Sequence, residues 1–206
     1  DYDSGNLHSA EKAFQRMAAE TGAGTVIVTS RPEDVARADR IVLPGDGAFR
    51  ACRQALDDRA GLFQAMDEAV RVGGRPFLGI CIGMQMLATE GLEHGVTPGF
   101  DWIPGQVGPI TPTDPALKVP HMGWNDLHIE RPHPVLTGIG TGQHAYFVHS
   151  YQFRTDRPGD RLAHADYGAP VTAIVGRGTV VGTQFHPEKS QATGLRLIAN
   201  FLSWAP

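Results

Sequence analysis

The chain has 206 residues, of which 41% are apolar and 19% are charged, and its formal net charge at pH 7 is −4. This length and composition are typical of a single globular domain spanning residues 1–206 and exclude a disordered or fibrous chain. Because the charge balance is slightly acidic, the electrostatic affinity on which nucleic-acid binding depends is excluded as well.

Both cysteines of the chain are candidate nucleophiles. No run of about 18 apolar residues and no basic and apolar leader is present, so we expect a cytoplasmic protein without a membrane span. Cys52 and Cys81 are then expected to be reduced.

The chain opens at Asp1, where an α/β domain normally has its first strand, so we expect that further residues precede it.

The first half of the chain alternates between helical and strand patterns. Helical spacing of apolar residues and short β-branched runs follow one another, which indicates parallel strands connected by helices. Paired glycines at 73 and 74 end the second helix. Helices are expected at residues 7–19, 62–72 and 82–89, a turn or helix at 31–37, and strands at 25–29, 40–44 and 76–80.

The second half is richer in proline and glycine. From about residue 91 the chain reads as strands and turns, which indicates an antiparallel extension of an α/β fold. Strands are expected at 146–151 and 179–185, and a closing amphipathic helix at 193–204. No repeat and no long linker divides the chain.

A glycine-flanked cysteine follows the strand at 76–80. Gly79-Ile-Cys-Ile-Gly83 has the form of a strand-to-helix elbow, in which small residues let the chain turn sharply and expose a nucleophile. The positive end of the following helix favours a thiolate. An isolated cysteine at a strand end is more often a core residue, but the glycines favour Cys81 as the nucleophile. Cys52 has no elbow and is interpreted as a core residue.

The candidate base lies in Thr183-Gln-Phe-His-Pro-Glu188. His186 ends a strand pattern, and Pro187 prevents the ladder from continuing, so the chain turns there. The turn lets Glu188 reach the imidazole and hold its tautomer, as the acid of a catalytic triad does. The predicted triad is therefore Cys81, His186 and Glu188.

Attack on an amide also needs donors for the oxyanion of the tetrahedral intermediate. The backbone N–H of Ile82, directly after the nucleophile, is one candidate. Pro44-Gly-Asp-Gly47 follows a predicted strand, and its glycines permit the N–H of Asp46 or Gly47 to point into the site. The same motif taken alone is also compatible with a plain glycine-rich turn.

Three motifs in this order resemble those of class I, triad-type glutamine amidotransferases: Pro44-Gly-Asp-Gly-Ala-Phe49, Gly79-Ile-Cys-Ile-Gly-Met-Gln85 and Gln184-Phe-His-Pro-Glu188. Four others resemble the glutaminase subunits of imidazole glycerol phosphate synthases: Asp1-Tyr-Asp-Ser-Gly-Asn-Leu7, Lys118-Val-Pro-His-Met-Gly-Trp-Asn125, Tyr146-Phe-Val-His-Ser-Tyr151 and His186-Pro-Glu-Lys-Ser190. The resemblance covers nearly the whole chain.

This resemblance implies a flavodoxin-like, mostly parallel sheet flanked by helices, with an antiparallel strand extension in the C-terminal half. It implies a subunit that hydrolyses L-glutamine and passes the ammonia to a (β/α)₈-barrel cyclase in a heterodimer. The barrel combines that ammonia with a phosphoribulosyl-formimino intermediate of histidine biosynthesis and forms imidazole glycerol phosphate and aminoimidazole carboxamide ribotide. No cofactor and no metal ion is implied.

The resemblance also assigns roles by position. Glutamine-holding positions match Gly47, Gln85, Ser150 and Tyr151, and positions that face the partner and the ammonia exit match Asn6, Trp124, Tyr146 and Lys189. The family often carries Val where this chain has Asp46, in a strand thought to flip and complete the oxyanion hole. The Asp46 carboxylate must point away from the oxyanion, because like charges repel, whereas its backbone N–H is unaffected.

Three alternatives stay open. A related amidotransferase that feeds another acceptor, such as a guanylate or anthranilate synthase component, is disfavoured by the motifs at 118–125 and 146–151. A stand-alone Cys–His hydrolase or thiol chaperone acting on peptides or aldehydes is disfavoured by Gln85 and by the C-terminal His-Pro-Glu. A catalytically silent regulatory subunit leaves the intact triad without an explanation.

Overall fold

The computed structural model describes residues 1–2 and 7–206. Its α-helices are α1 (Leu7–Thr21), α2 (Pro32–Arg37), α3 (Phe49–Asp57), α4 (Leu62–Asp67), α5 (Ile82–Gln85) and α6 (Gln191–Ser203). Helix α4 continues as a π-helical turn over Glu68–Val72, and 3₁₀ turns lie at Pro134–Leu136, Pro158–Asp160 and Pro187–Lys189. In the described part of the chain, no helix is both long and apolar enough to cross a bilayer.

Twelve strands are present among the described residues. They are β1 (Ile41–Gly45), β2 (Phe77–Cys81), β3 (Glu90–Gly91), β4 (Thr97–Pro98), β5 (Gly105–Pro109), β6 (His121–Asp126), β7 (His128–Ile129), β8 (His144–His149), β9 (Tyr151–Thr155), β10 (Arg161–Asp166), β11 (Pro170–Arg177) and β12 (Val180–Thr183).

The central sheet has six strands in the order β1-β2-β12-β11-β10-β7. Strands β1, β2 and β12 are parallel, and the remaining pairs are antiparallel. A four-stranded sheet, β4-β3-β5-β9, and a two-stranded ribbon, β6-β8, complete the fold. The α/β class with an antiparallel extension is therefore confirmed. Among the described residues, the parallel part of the central sheet comprises three strands, and β3 and β5 of the second sheet also pair in parallel.

The middle strand of the parallel part is buried along its whole length. Every residue of β2 is buried, because neighbouring strands hydrogen-bond to both of its edges and its Phe77, Leu78 and Ile80 side chains are apolar. A strand covered on both faces needs such a continuous apolar run. Helix α1, which buries Phe14 and Met17, packs against α6. This sheet is the rigid frame that positions the site.

Several predicted elements differ from the observed ones. Residues 25–29 form no strand, since in the described residues no neighbouring strand completes a ladder with them, and Ile27 is 60% exposed. The helix expected at 82–89 is a single turn that ends at Gln85. The strand expected at 146–151 is interrupted at Ser150, where β8 ends and β9 begins in a different sheet. Helix α3 was not predicted, although it buries Phe49, Cys52 and Leu56 on one face.

Candidate active site

The three predicted functional segments follow the carboxyl ends of three adjacent parallel strands. Strand β1 ends at Gly45, which pairs with Cys81 at the end of β2. Thr183 of β12 pairs with Ile80 on the other side of β2, and the chain continues from there to His186. Because the carboxyl ends of parallel strands share one edge of a sheet, the elbow, the base and the glycine-rich turn meet there, which is where α/β folds bind ligands.

The elbow at Cys81 is a strained turn packed against β1. Cys81 has φ 56° and ψ −112°, a left-handed conformation that costs a non-glycine residue energy. A Cβ atom on Gly83 would lie 1.8 Å from the Leu43 carbonyl oxygen, and one on Gly79 would lie 2.4 Å from the Gly83 oxygen. The glycines are therefore needed for close packing, and Cys81, the candidate nucleophile, carries the backbone strain.

His186 and Glu188 form a buried pair. Pro187 begins a 3₁₀ turn directly after His186, and this turn brings the Glu188 carboxylate back to the ring. The Nδ1 atom of His186 lies 2.9 Å from Oε1 of Glu188, and the two side chains are 7% and 3% exposed. Since a carboxylate only accepts, Nδ1 donates the hydrogen bond and Nε2 is left for the nucleophile or the substrate.

The second ring nitrogen of His186 is not used by the pair with Glu188. Nε2 is buried and has no hydrogen-bonding partner among the described residues. Burial lowers the pKa of His186, but the neighbouring Cys81 and Glu188 side chains outweigh it and raise that pKa to about 9. A protonated imidazole beside the sulfur stabilises a thiolate, which is the nucleophilic form of cysteine.

The backbone of His186 is anchored to β8. Its N–H donates to the Tyr146 carbonyl at 3.1 Å. The Ser190 hydroxyl donates to the His186 carbonyl at 2.7 Å and accepts from the Tyr146 N–H at 3.0 Å. The imidazole of His186, the candidate base, therefore lies on backbone that is tied to the β6-β8 ribbon.

Gln184 is a site residue that the sequence reasoning did not single out. Its side chain is fully buried, and its Nε2 lies 3.7 Å from the Cys81 sulfur, within the range of an N–H···S hydrogen bond. Its Oε1 accepts from the Gln85 amide at 2.9 Å, and the same Gln85 nitrogen lies 3.2 Å from the Tyr151 carbonyl. A polar residue at the end of an apolar strand was the available signal, since buried polar groups require partners.

The glycine-rich turn after β1 lies beside the elbow but is more open. Gly47 has φ 106°, and no described atom lies within 4 Å of the position that a Cβ would take. Asp46 is exposed, and its carbonyl accepts a hydrogen bond from the buried Cys52 thiol at 3.3 Å. The exposure of Asp46 agrees with a carboxylate that points away from the reacting centre. Ile82, the other predicted oxyanion donor, begins α5.

The positions that resemble glutamine-holding residues lie on two sides of Cys81. Gln85 and Tyr151 are joined by a hydrogen bond, and Ser150 is the residue between β8 and β9. Gly47 approaches from the β1 side, because Gly45 pairs with Cys81. The four positions therefore border the same sheet edge as the nucleophile.

The positions that resemble partner-facing residues lie largely on the β6-β8 ribbon. Trp124 pairs with Tyr146 across the two strands, and their rings meet edge to face with centroids 5.7 Å apart. Trp124 is 48% exposed, and Val119 and Met122 beside it are 46% and 61% exposed. Lys189 ends the 3₁₀ turn after the base, and Asn6 lies outside the described residues.

One group of side chains in the described part of the chain has metal-ligand character. Single donor atoms of His128, His164 and Asp166 lie within 4.8 Å of one another at the β7-β10 end of the sheet. Both imidazoles pair with the exposed Asp166 carboxylate at 3.6 Å, and His164 also pairs with Glu130, which Arg161 holds. This ion-paired cluster lies at the opposite edge of the sheet from β1, and we assign it no part in the active site.

Comparison with known proteins gives a consistent set of relatives. The family model of class-I glutamine amidotransferases matches residues 4–204. Over 206 residues, the chain is 75% identical to the imidazole glycerol phosphate synthase subunit HisH of Cereibacter sphaeroides and 67% identical to that of Ruegeria pomeroyi. In both cases the match covers 100% of this chain and 97% of the relative.

Solved structures with a similar fold are more distant in sequence. A glutamine amidotransferase crystal structure superposes with a TM-score of 0.73 at 19% identity and covers 98% of this chain and 96% of its own. The glutaminase domain of Trypanosoma brucei CTPS with bound acivicin gives a TM-score of 0.63 at 15% identity and covers 99% of this chain and 91% of its own. At these identities the likeness concerns the fold alone.

Proposed function

The chain belongs to the class-I glutamine amidotransferase family, and from this premise we propose that it is the glutaminase subunit of an imidazole glycerol phosphate synthase of histidine biosynthesis. One observation carries the chemistry: the His186–Glu188 pair leaves a buried, unpartnered Nε2 beside the strained Cys81. Identities of 75% and 67% to synthase subunits over the whole chain support this acceptor over that of a related amidotransferase.

The first half of the reaction releases ammonia. The Cys81 thiolate attacks the side-chain carbonyl carbon of glutamine, and the carbonyl electron pair moves onto oxygen. Backbone N–H groups of Ile82 and of the Asp46–Gly47 turn stabilise this oxyanion, an effect typically worth about 3 kcal/mol for each donor. Protonated His186 gives its Nε2 proton to the leaving nitrogen, the carbon–nitrogen bond breaks, and ammonia departs from a γ-glutamyl thioester.

The second half of the reaction restores the enzyme. Neutral His186 takes a proton from water, and the resulting hydroxide attacks the thioester through a second oxyanion. The carbon–sulfur bond then breaks, which regenerates the Cys81 thiolate beside imidazolium, and the γ-carboxylic acid that forms loses its proton to water and leaves as glutamate. Glu188 keeps Nδ1 protonated throughout, so that Nε2 is the nitrogen that exchanges protons.

The ammonia acceptor lies on a partner. We place a (β/α)₈-barrel cyclase against the apolar face of Val119, Met122 and Trp124, which is exposed enough to mark an interaction surface. Ammonia passes to the cyclase within the heterodimer. The cyclase then forms a carbon–nitrogen bond, which yields imidazole glycerol phosphate. We place the enzyme in the cytoplasm, where thiols stay reduced, because neither Cys52 nor Cys81 is in a disulfide.

The division of labour is testable in the reconstituted heterodimer. We expect Cys81→Ala to abolish glutamine-dependent synthesis of imidazole glycerol phosphate, while synthesis from added ammonium salt stays within about twofold of the wild-type rate. Cys52→Ser is the matched control, because it removes the second thiol while its hydroxyl keeps a donor for the Asp46 carbonyl. Loss of the ammonia-dependent reaction in Cys81→Ala, or survival of the glutamine-dependent one, would contradict the assignment.

A further inference from the structure

Two buried histidines lie next to the proposed glutamine site without a role in the chemistry above. His121 and His149 are 2% and 6% exposed, and Nδ1 of His121 lies 3.0 Å from Nε2 of His149. They come from the two motifs at 118–125 and 146–151, which face each other as β6 and β8 in the ribbon. The structure therefore joins these motifs through a histidine pair.

The direction of the hydrogen bond between the two histidines follows from the bond that His149 makes to Tyr151, beside the proposed glutamine site. Nδ1 of His149 lies 2.7 Å from the Tyr151 carbonyl, which only accepts, so Nδ1 carries the proton. Burial lowers the pKa of His149 to about 3 and that of His121 to about 4, so both rings are neutral. Nε2 of His149 is then an acceptor, and Nδ1 of His121 donates to it.

The bond between His121 and Asn125, on the other side of the pair, independently gives the same hydrogen-bond direction. Oδ1 of Asn125 accepts from the Asp126 N–H at 2.8 Å, which orients the amide. Its Nδ2 donates to the Asp166 carbonyl at 2.9 Å and to Nε2 of His121 at 3.1 Å. His121 must therefore accept at Nε2 and donate at Nδ1, which is the tautomer that the His149 end requires.

The His121 ring is also fixed by stacking. It lies between Phe147 and Tyr167, with ring centroids 4.7 Å and 4.2 Å away and planes inclined by 22° and 29°. A ring held on both faces does not rotate to exchange its nitrogens without disturbing these contacts. His121 is thus a rigid donor for His149.

We propose that His149 is a positioning residue for glutamine binding. It holds the Tyr151 carbonyl, which in turn orients the Gln85 amide. His121 fixes the His149 tautomer. This inference rests on the proposed glutaminase function. The Tyr151 carbonyl accepts both from His149 Nδ1 and from Gln85 Nε2. His149 therefore acts on the substrate through the corner at residues 149–151 and through Gln85.

The chain of bonds also assigns the contact that Gln85 makes. Its Nε2 donates to the Tyr151 carbonyl and to Gln184 Oε1, which uses both of its hydrogens. Its Oε1 is therefore left to accept a hydrogen bond.

Two substitutions at His149 separate positioning from a general structural role. The side-chain amide of Asn places a donor where Nδ1 was, whereas that of Gln places one where Nε2 was. In the heterodimer, we expect His149→Gln to raise the KM for glutamine about tenfold, as the loss of one buried hydrogen bond does, with kcat changed less than threefold. His149→Asn keeps the bond to Tyr151 and is expected to hold KM within about threefold of the wild-type value.

His121 supplies a second test if His149→Gln folds poorly. His121→Phe keeps an aromatic ring between Phe147 and Tyr167 but removes the donor to His149, and we expect KM to rise about threefold. Nitrogen-15 NMR of the wild-type protein is expected to show His149 protonated at Nδ1. The matched control is His144→Gln, an exposed histidine of the same strand, with an unchanged KM.

The possible failures are distinguishable. Equal KM values for His149→Gln and His149→Asn would overturn the positioning role, as would a proton found on Nε2 of His149. If the wild-type heterodimer still hydrolyses glutamine in that case, the proposed function stands. An unchanged KM in His121→Phe would overturn the role of His121. A wild-type heterodimer without glutaminase activity would remove the proposed function, and this inference with it.

Discussion

Two glycine-containing turns lie side by side at the carboxyl edge of the sheet, and they are built in opposite ways. The turn after β2 is packed so closely that a Cβ on Gly83 would overlap the Leu43 carbonyl. The turn after β1 contains Gly47 at φ 106°, with open space around its missing Cβ among the described atoms. The first turn uses glycine because nothing larger fits, and the second because the backbone conformation requires it.

The two turns have different tasks in the proposed site: the first holds the nucleophile, and the second supplies oxyanion donors. Cys81 and His186 are buried and bonded to neighbouring strands, and the Glu188 side chain is buried against His186, which favours a fixed arrangement of the proposed triad. The proposed oxyanion donors after β1 lie on an exposed turn, whose Asp46 carbonyl accepts a hydrogen bond from the Cys52 thiol. We therefore expect substitutions in the first turn to act on folding and those in the second to act on catalysis.

The largest effect is expected at the packed turn. Gly83→Ala forces backbone apart between β1 and α5, and we expect the free energy of unfolding to fall by about 3 kcal/mol or more. Urea unfolding monitored by circular dichroism measures it. Gly140→Ala is the matched control, because its Cβ would meet no described atom within 4 Å, and it should change stability by less than about 0.5 kcal/mol. Similar losses in both variants would break the comparison.

Glu188 belongs to the fixed side of the site and is expected to affect both rate and pH dependence. Removing the charge in Glu188→Gln should lower kcat/KM for glutamine by about 100-fold or more, as loss of a triad carboxylate does. Because Glu188 helps to raise the pKa of His186 to about 9, the alkaline limb of the rate profile should move to lower pH in this variant. A glutaminase assay of the heterodimer from pH 6 to 10 measures both effects.

The same raised pKa has a consequence for stability. The folded-state pKa of His186 lies above the ordinary value of 6.5, so its contribution is fully present below about pH 6.5 and is lost as the pH rises through about 9. The wild-type melting temperature should therefore fall more between pH 7 and pH 9.5 than that of Glu188→Gln. Identical slopes would show that the carboxylate does not hold the imidazolium.

The smallest effect on folding is expected at the open turn. Gly47→Ala adds a side chain in a left-handed conformation, which costs about 1–2 kcal/mol of stability. We expect the glutaminase kcat to fall about tenfold, because relaxation of the turn misplaces an oxyanion donor. Gly24→Ala, at φ 93° with similarly open surroundings, is the control for the backbone cost and should leave kcat unchanged. A Gly47→Ala enzyme with wild-type kcat would exclude this turn from the oxyanion hole.

The sequence predicts the site better where the chemistry is local. Cys81 between its glycines and His186 two residues before Glu188 are short-range patterns, and the structure brings these segments to one sheet edge. Gln184 was missed because its partner Cys81 is distant in the chain, and only the parallel pairing of β2 with β12 brings the two together. The His121–His149 pair was missed for the same reason, since it depends on the register of β6 and β8.

Local patterns also failed where tertiary contacts decide the element. The β-branched run at 25–29 has the composition of a strand, but a strand requires a neighbour to complete its ladder. The expected strand at 146–151 is broken at Ser150, because β9 leaves the ribbon and pairs with β5. Periodicity carries no information about such a change of sheet.

One of the three tryptophans is exposed at the proposed partner surface, and the other two are buried. Trp102 and Trp204 are 8% and 6% exposed, whereas Trp124 is 48% exposed on the β6-β8 ribbon. A protein that covers this ribbon would move one indole out of three from water into an apolar contact. The chain thus carries an intrinsic fluorophore at its proposed assembly surface, and the wavelength of its emission reports association without any added label.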